Sequence, residues 1–244
     1  MNDQYQKLAN YYDDFVQKNR NYEKIAHQLS KLIGNGRELL DIGIGTGLLV
    51  KYLLQIEPNY NVVGIDTSEA LLDQANKRLG NKVSLYCQSA SEINIDKIFD
   101  VSYSRGGAWT IFQDETGIML GSHIFDLNEI QKSFQCVSDH LKTGGLLIIS
   151  TSNVISTSNV NGNKLMELEN GIIHKRTVEI QQVKNESYAR FEYSFHKDKK
   201  LLTQGTLMLR LLSSQEFVPM LNEAGFTATT IDDSEYYIYR RTEV

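Results

Sequence analysis

The residues best placed to do chemistry begin with Leu39-Leu40-Asp41-Ile42-Gly43-Ile44-Gly45-Thr46-Gly47. Glycines at alternate positions let a backbone take up positive φ and approach a ligand closely. The acid ahead of them narrows the ligand: a carboxylate at Asp41 would repel a pyrophosphate but accepts hydrogen bonds from an amino group. The spacing is G-x-G-x-G, and Leu48 stands where the dinucleotide fingerprint requires a third-turn glycine. A second acid, Asp66, ends the next apolar run and is followed by Thr67. Further along, Arg105 carries a planar fork that could grip a carboxylate or could pair with a nearby acid. Trp109, the single tryptophan, could cover an aromatic or cationic group or could pack in the core. His123 could take a proton near neutral pH or be held by backbone.

These residues need a scaffold that brings them together, and the apolar pattern supplies one. Residues 4–33 read as helical, with Leu8, Tyr11, Tyr12 and Phe15, then Tyr22, Ile25, Ala26, Leu29 and Ile33 at helical spacing. Residues 38–42 read as a buried strand entering the glycine turn, and 46–56 as a helix ending before Pro58. The pattern repeats: strand 61–65, helix 68–79 between Ser68 and Gly80, strands 82–87 and 98–103, helix 128–141, and strand 146–151 after Gly144-Gly145. Strands alternating with helices imply a mostly parallel sheet covered on both faces, with ligands at the carboxyl ends of its strands. Residues 105–126 read as a long polar loop facing that end. After residue 151 the grammar changes. Residues 152–163 have linker composition, 172–212 read as antiparallel strands, and a helix from Ser213 or Ser214 to Ala224 precedes two last strands. The expected organisation is therefore a core of residues 1–151 and 213–244 with an antiparallel β insertion, 152–212, before the last helix.

At this point the sequence resembles the class I S-adenosylmethionine (SAM)-dependent methyltransferases, over about residues 5–151 and again at the final helix and strands. The resemblance implies a doubly wound, Rossmann-like α/β fold with a seven-stranded, mostly parallel sheet. It implies that Asp41, Gly43, Gly45 and Gly47 hold the methionine part of SAM and that Asp66, with Thr67 beside it, takes the ribose hydroxyls. Two carboxylate oxygens can accept both of those bonds. Gln88-Ser89-Ala90 falls where the family places Gly-Asp-Ala beside the adenine. Ser89 departs from the usual acid, and the Ala90 backbone could serve instead. Ser104 and Arg105 fall where the family lines the methyl-donor site. Ala9-Asn10-Tyr11-Tyr12-Asp13 is similar to the family's A-x-x-Y-D segment, whose tyrosine approaches SAM, so Tyr12 is expected there and as a catalytic group with His123 and Arg105. Arg210 is similar to an arginine of small-molecule methyltransferases. Arg105, Trp109 and Arg210 are the expected substrate contacts, an ion pair being the alternative for Arg210.

The reaction so implied is in-line attack of an acceptor on the sulfonium methyl, releasing S-adenosylhomocysteine (SAH), with no metal. The formal net charge of -5 disfavours nucleic acid as acceptor, and the amino-methylating N/D-P-P-Y motif is absent. A small organic metabolite or natural-product intermediate, methylated on oxygen or nitrogen, is expected. Two alternatives stand beside it: a catalytically silent SAM-binding regulatory subunit, and an NAD-dependent oxidoreductase, which Leu48 and Asp41 disfavour. No secretory or membrane-spanning segment is visible, so a cytoplasmic monomer or homodimer is expected. Cys87 and Cys136 read as reduced core thiols.

Overall fold

The computed structural model describes residues 5–114, 117–152, 164–229 and 235–243. The chain opens with α1 (Ala9–Asn19) and α2 (Tyr22–Ile33). Asn21 Oδ1 caps α2 by accepting the Lys24 N–H at 2.9 Å, and Gly34, at φ 61°, ends it. An alternating series follows: β1 (Glu38–Ile42), α3 (Leu48–Ile56), β2 (Asn61–Asp66), α4 (Glu69–Leu79), β3 (Ser84–Cys87) and β4 (Phe99–Ser104). Next come β5 (Trp109–Asp114), β6 (Gly117–Ser122), α5 (Leu127–Asp139) and β7 (Leu141–Ser152). The remainder comprises β8 (Lys164–Glu167), β9 (Ile173–Val183), β10 (Glu186–Lys197), β11 (Lys200–Ser213), α6 (Ser214–Glu223), β12 (Phe226–Ala228) and β13 (Tyr236–Arg241).

The architecture is mixed α/β. Strands β3, β2, β1, β4 and β7 lie side by side and parallel, β13 adds to β7 antiparallel, and β12 pairs with β13. Residues of α5 and α6, among them Phe134 and Phe217, pack with Leu40 and Ile42 of β1. Residues of α2, α3 and α4, among them Leu29, Leu53 and Leu79, pack with Leu39 of the same strand. A strand buried on both faces reads as a continuous apolar run, as Leu39–Ile42 does apart from Asp41.

The far end of β7 passes the sheet on. Thr151 and Ser152 pair with Ile111 and Phe112 of β5, and the order continues β5-β6-β11-β10-β9-β8. The polar loop expected at 105–126 is therefore a hairpin at its centre. Ile111, Phe112 and Leu120 are buried there, so two-sided burial removes the alternation by which a strand is recognised. The linker-like stretch 153–163 lies outside the described residues. Cys87 is exposed and Cys136 half-buried, a correction to the core reading of both. Strand β3 is an edge strand, which leaves the Cys87 side chain open. No helix of the described residues is long and apolar enough to cross a membrane.

Helix α1 sits where the two halves meet. Its Phe15 and Val16 pack with Leu48 of α3 and with Phe191, Phe195 and Leu207 of the antiparallel strands. Asp13 fixes it to the core: its carboxylate accepts the Thr46 hydroxyl at 2.6 Å and pairs with the Arg78 guanidinium, which also donates to the Thr46 carbonyl.

Candidate active site

Two adjoining clefts open at the carboxyl ends of β1 and β4. The smaller is walled by Asp41, Gly43, Gly45 and Thr46 of the glycine turn and by Tyr12 and Arg105. The turn is held by backbone: Gly43 and Ile44 N–H both donate to the Ile65 carbonyl, at 2.8 and 3.0 Å. Asp66 completes it, accepting the Gly45 N–H on one oxygen (2.8 Å) and the Ser68 N–H on the other (2.9 Å). A side chain at Gly45 would point into open space, whereas a Cβ at Gly43 would lie 2.3 Å from the Gly107 Cα. The glycine turn and the turn after β4 thus touch backbone to backbone, which requires glycine at both 43 and 107. The Gly106-Gly107 pair was the sequence signal for this contact, and sequence reasoning left it unused.

Asp41 is buried at the end of β1. Burial pushes its carboxyl up to about 8, the Tyr103 hydroxyl opposes the rise and the Asp66 carboxylate adds to it. Thr67 is exposed beside Asp66, and the Gln88 N–H donates to the Asp66 carbonyl at 3.1 Å, which draws Ser89 and Ala90 to the same edge. None of Thr67, Ser89 and Ala90 is a wall of either cleft, and Ala90 is buried in the hydrophobic core.

The larger cleft encloses about 750 Å³, part of it open to solvent, which suits a small-molecule ligand. Tyr12, Val16, Arg105 and Gly106 belong to both clefts. His123 lines the larger one, its Nε2 3.3 Å from the Tyr5 hydroxyl and its N–H bound to the Ala108 carbonyl. Burial lowers its pKa to about 4, so the imidazole is neutral at pH 7. Burial also raises the Tyr12 hydroxyl far above the ordinary tyrosine range. Tyr12 is therefore protonated at pH 7 and can donate a hydrogen bond.

Three expected site residues are placed elsewhere. Trp109 is fully buried against Phe134, ring centroids 4.7 Å apart, in the core beneath α5. As the first residue of β5 it points away from the cleft that Thr110 lines. Ser104 is also buried, and its hydroxyl is used within its own turn, donating to the Trp109 carbonyl (3.0 Å) and accepting the Trp109 N–H (3.1 Å). Arg210 alternates with Leu209 and Leu211 on β11, so it faces away from the cleft that Leu209 lines. Its guanidinium bonds to the Phe125 carbonyl and pairs with Glu186 at 2.8 Å. The ion-pair alternative is the one realised.

Residues 39–145 match the family described as methyltransferase domain. The malonyl-[acyl-carrier protein] O-methyltransferase of Anoxybacillus flavithermus is 27% identical over 107 residues, 43% of this chain and 40% of that protein. The chain spans less than half the length of such curated relatives. An S-adenosylmethionine-dependent methyltransferase from Clostridium acetobutylicum superposes with a TM-score of 0.69 at 20% identity, over 98% of this chain and 99% of that one. The SAM-bound amino pentose methyltransferase CalS10 from Micromonospora echinaspora does so with a TM-score of 0.71 at 16% identity, over 95% and 96%.

Proposed function

We propose that this chain, whose residues 39–145 match a methyltransferase domain, is a class I SAM-dependent methyltransferase that transfers a methyl group from SAM to an oxygen or nitrogen of a small organic acceptor. The observation that carries the proposal is the junction of the two clefts: Tyr12, Val16, Arg105 and Gly106 are walls of both, so a donor at the glycine turn and an acceptor beside His123 would meet there. The core (residues 1–151 and 213–244) is taken as the doubly wound seven-stranded unit, and residues 152–212 as the cover of the acceptor.

The glycine turn fits the donor. Gly45 leaves space open before it, and Asp41 offers a carboxyl suited to an ammonium. SAM, when bound, supplies a methyl already activated by the sulfonium charge. What remains for the chain is orientation of two reactants, the source of large rate gains in such transfers. In this assignment Asp66 takes the ribose hydroxyls alongside its two backbone N–H bonds, a carboxylate having about four acceptor sites, and Tyr12 and Arg105 align the reacting ends. His123, neutral and lining the cleft, is the group placed to take the proton that the acceptor gives up, as a base weakened by its burial. Among the described residues no group of three or more His, Cys, Asp and Glu side chains could hold a metal.

The test is calorimetric titration with SAM and SAH, with NAD as control, followed by methyl transfer to a panel of small hydroxyl and amine acceptors. Micromolar binding of both sulfur compounds and none of NAD is expected, and Asp66→Ala should weaken SAM about tenfold or more while lowering the melting temperature, because it also removes the acceptor of the Gly45 and Ser68 N–H groups. Unchanged SAM affinity in a folded Asp66→Ala protein removes the ribose assignment. Binding without transfer to any acceptor favours a regulatory SAM-binding role.

A further inference from the structure

We propose that the larger cleft takes an anionic acceptor, a small molecule bearing a carboxylate or phosphate, held by Arg176 and Arg20 with Arg105 at the junction. The proposal rests on the methyl-transfer reading of the site. All three arginines line the cleft, and among the described residues no Asp or Glu does, in a chain whose formal net charge is -5. A cationic pocket on an acidic molecule is a local feature that focuses the field on an incoming anion.

None of the three guanidinium groups has a carboxylate partner among the described residues. The arginines in ion pairs there are Arg37, Arg78, Arg190 and Arg210. The Nε atoms of Arg105 and Arg176 are moreover shut off from solvent without a hydrogen-bond acceptor. Withdrawing such donors from water is costly unless something bonds to them.

Strand register sharpens the point. On β9, Arg176 shares a face with His174 and Val178, both buried, and the three pair with Tyr193, Phe195 and Phe191 of β10 in that order. Arg176 therefore occupies an inward position in an apolar face, where a charge breaks the pattern unless it serves a ligand. Burial lowers the Arg176 pKa, the Tyr193 hydroxyl opposes this, and Arg20 lowers it further. Arg20 also acts on the Tyr12 and Tyr193 hydroxyls. The two charges thus act within one region, and an anion bound there would relieve their mutual repulsion. His123 adds no positive charge, being neutral at pH 7. Guanidinium forks match carboxylate and phosphate oxygens in pairs. Arg105 is a wall of both clefts and is open to donor and acceptor alike, whereas Arg20 and Arg176 belong to the larger cleft alone.

The experiment titrates the SAH-saturated protein with 3-hydroxybenzoate, phenyl phosphate and methyl 3-hydroxybenzoate. Both acids should bind, and the neutral ester at least about tenfold more weakly. Arg176→Gln should weaken the acids about tenfold or more, leave the ester unchanged, and keep SAH affinity within about twofold. Arg20→Gln, beyond the end of α1 and outside the sheet, gives the same readout should Arg176→Gln misfold. Preference for one acid over the other assigns the phosphate or the carboxylate. Equal binding of acid and ester, no saturable binding of either acid, or acid affinity untouched by both variants overturns the anion site while SAH binding leaves the donor site standing. Failure of the unaltered protein to bind SAH brings down the methyl-transfer reading, and the anion site with it.

Discussion

Asp41 combines burial with proximity to a second carboxylate. Its carboxyl is pushed up to about 8, by burial first, with Tyr103 opposing and Asp66 adding. In the free protein it is therefore mostly protonated at pH 7. An ammonium bound beside it favours the carboxylate and draws the pKa down. SAM binding should then release close to one proton at pH 7, and affinity should rise as pH approaches 8. Calorimetry in buffers of different ionisation enthalpy reads the proton directly, and Asp41→Asn should abolish its release. Zero release in the unaltered protein refutes the pairing. Close packing at Gly107 makes a second prediction. A Cβ there would lie 2.1 Å from the Ile42 carbonyl oxygen, while one at Gly106 meets nothing within 4 Å. Gly107→Ala should cost about 1–3 kcal/mol of stability and most of the SAH affinity. Gly106→Ala carries only the strain of its positive φ, 67°, and should lose less of both. Equal effects would mean the backbone contact is unimportant. The glycine turn was legible because its chemistry lies within nine consecutive residues. Trp109 and Arg210 were not, because the direction of one side chain depends on strand register, and register is set by partners far away in sequence.

At the scale of elements, α1 supplies walls of the smaller cleft. Tyr12 and Val16 of this helix are walls of both clefts, and Asp13 secures the helix to Thr46 and Arg78. The Asp13 and Arg78 side chains are only 16% and 22% exposed, so the pair is screened less than a surface bridge. Asp13→Asn should loosen α1, speed its amide exchange, and lower SAH affinity about tenfold, for a loss of roughly 1–3 kcal/mol. Exchange and affinity both unchanged would reduce the pair to a surface feature. The sequence marked Tyr12 and left Asp13 beside it without a role, since the partner that gives it one, Arg78, is on the far side of the glycine turn. The hairpin β5–β6 was hidden for a different reason. Its buried residues fall on both faces, and the period-two signal that revealed β10 and β11 is missing. Arg176 was overlooked because an inward arginine looks ordinary until the register with β10 is known.

For the whole molecule, the buried ionisable groups predict how stability depends on pH. His123 and His174 are both lowered to about 4, by burial first, and for His174 by Arg176 and Lys164 next. Their ordinary value is near 6.5, so between about 6.5 and 4 the unfolded chain binds their protons while the native state does not. Stability must fall as pH drops through that window. Asp41 acts in the opposite sense. Its native value, about 8, lies above the ordinary aspartate value of 3.8, so the native state holds the extra proton across the same window and stability gains as pH falls. Two imidazoles set against one carboxyl leave a net uptake of about one proton by the unfolded state, a slope of about 1.4 kcal/mol per pH unit. His174 is the group to alter, since its ring packs tilted against Phe15, centroids 4.3 Å apart, and it is not a wall of either cleft. His174→Phe should remove one proton from the balance and flatten the slope of urea midpoints between pH 6.5 and 4, whereas Asp41→Asn should steepen it. Identical slopes in all three proteins would show that these groups titrate alike folded and unfolded. A bound anion at Arg176 would weaken the repulsion felt by His174, raise its pKa and shift the same curve. The acid limb of stability thereby reports whether the cleft is filled.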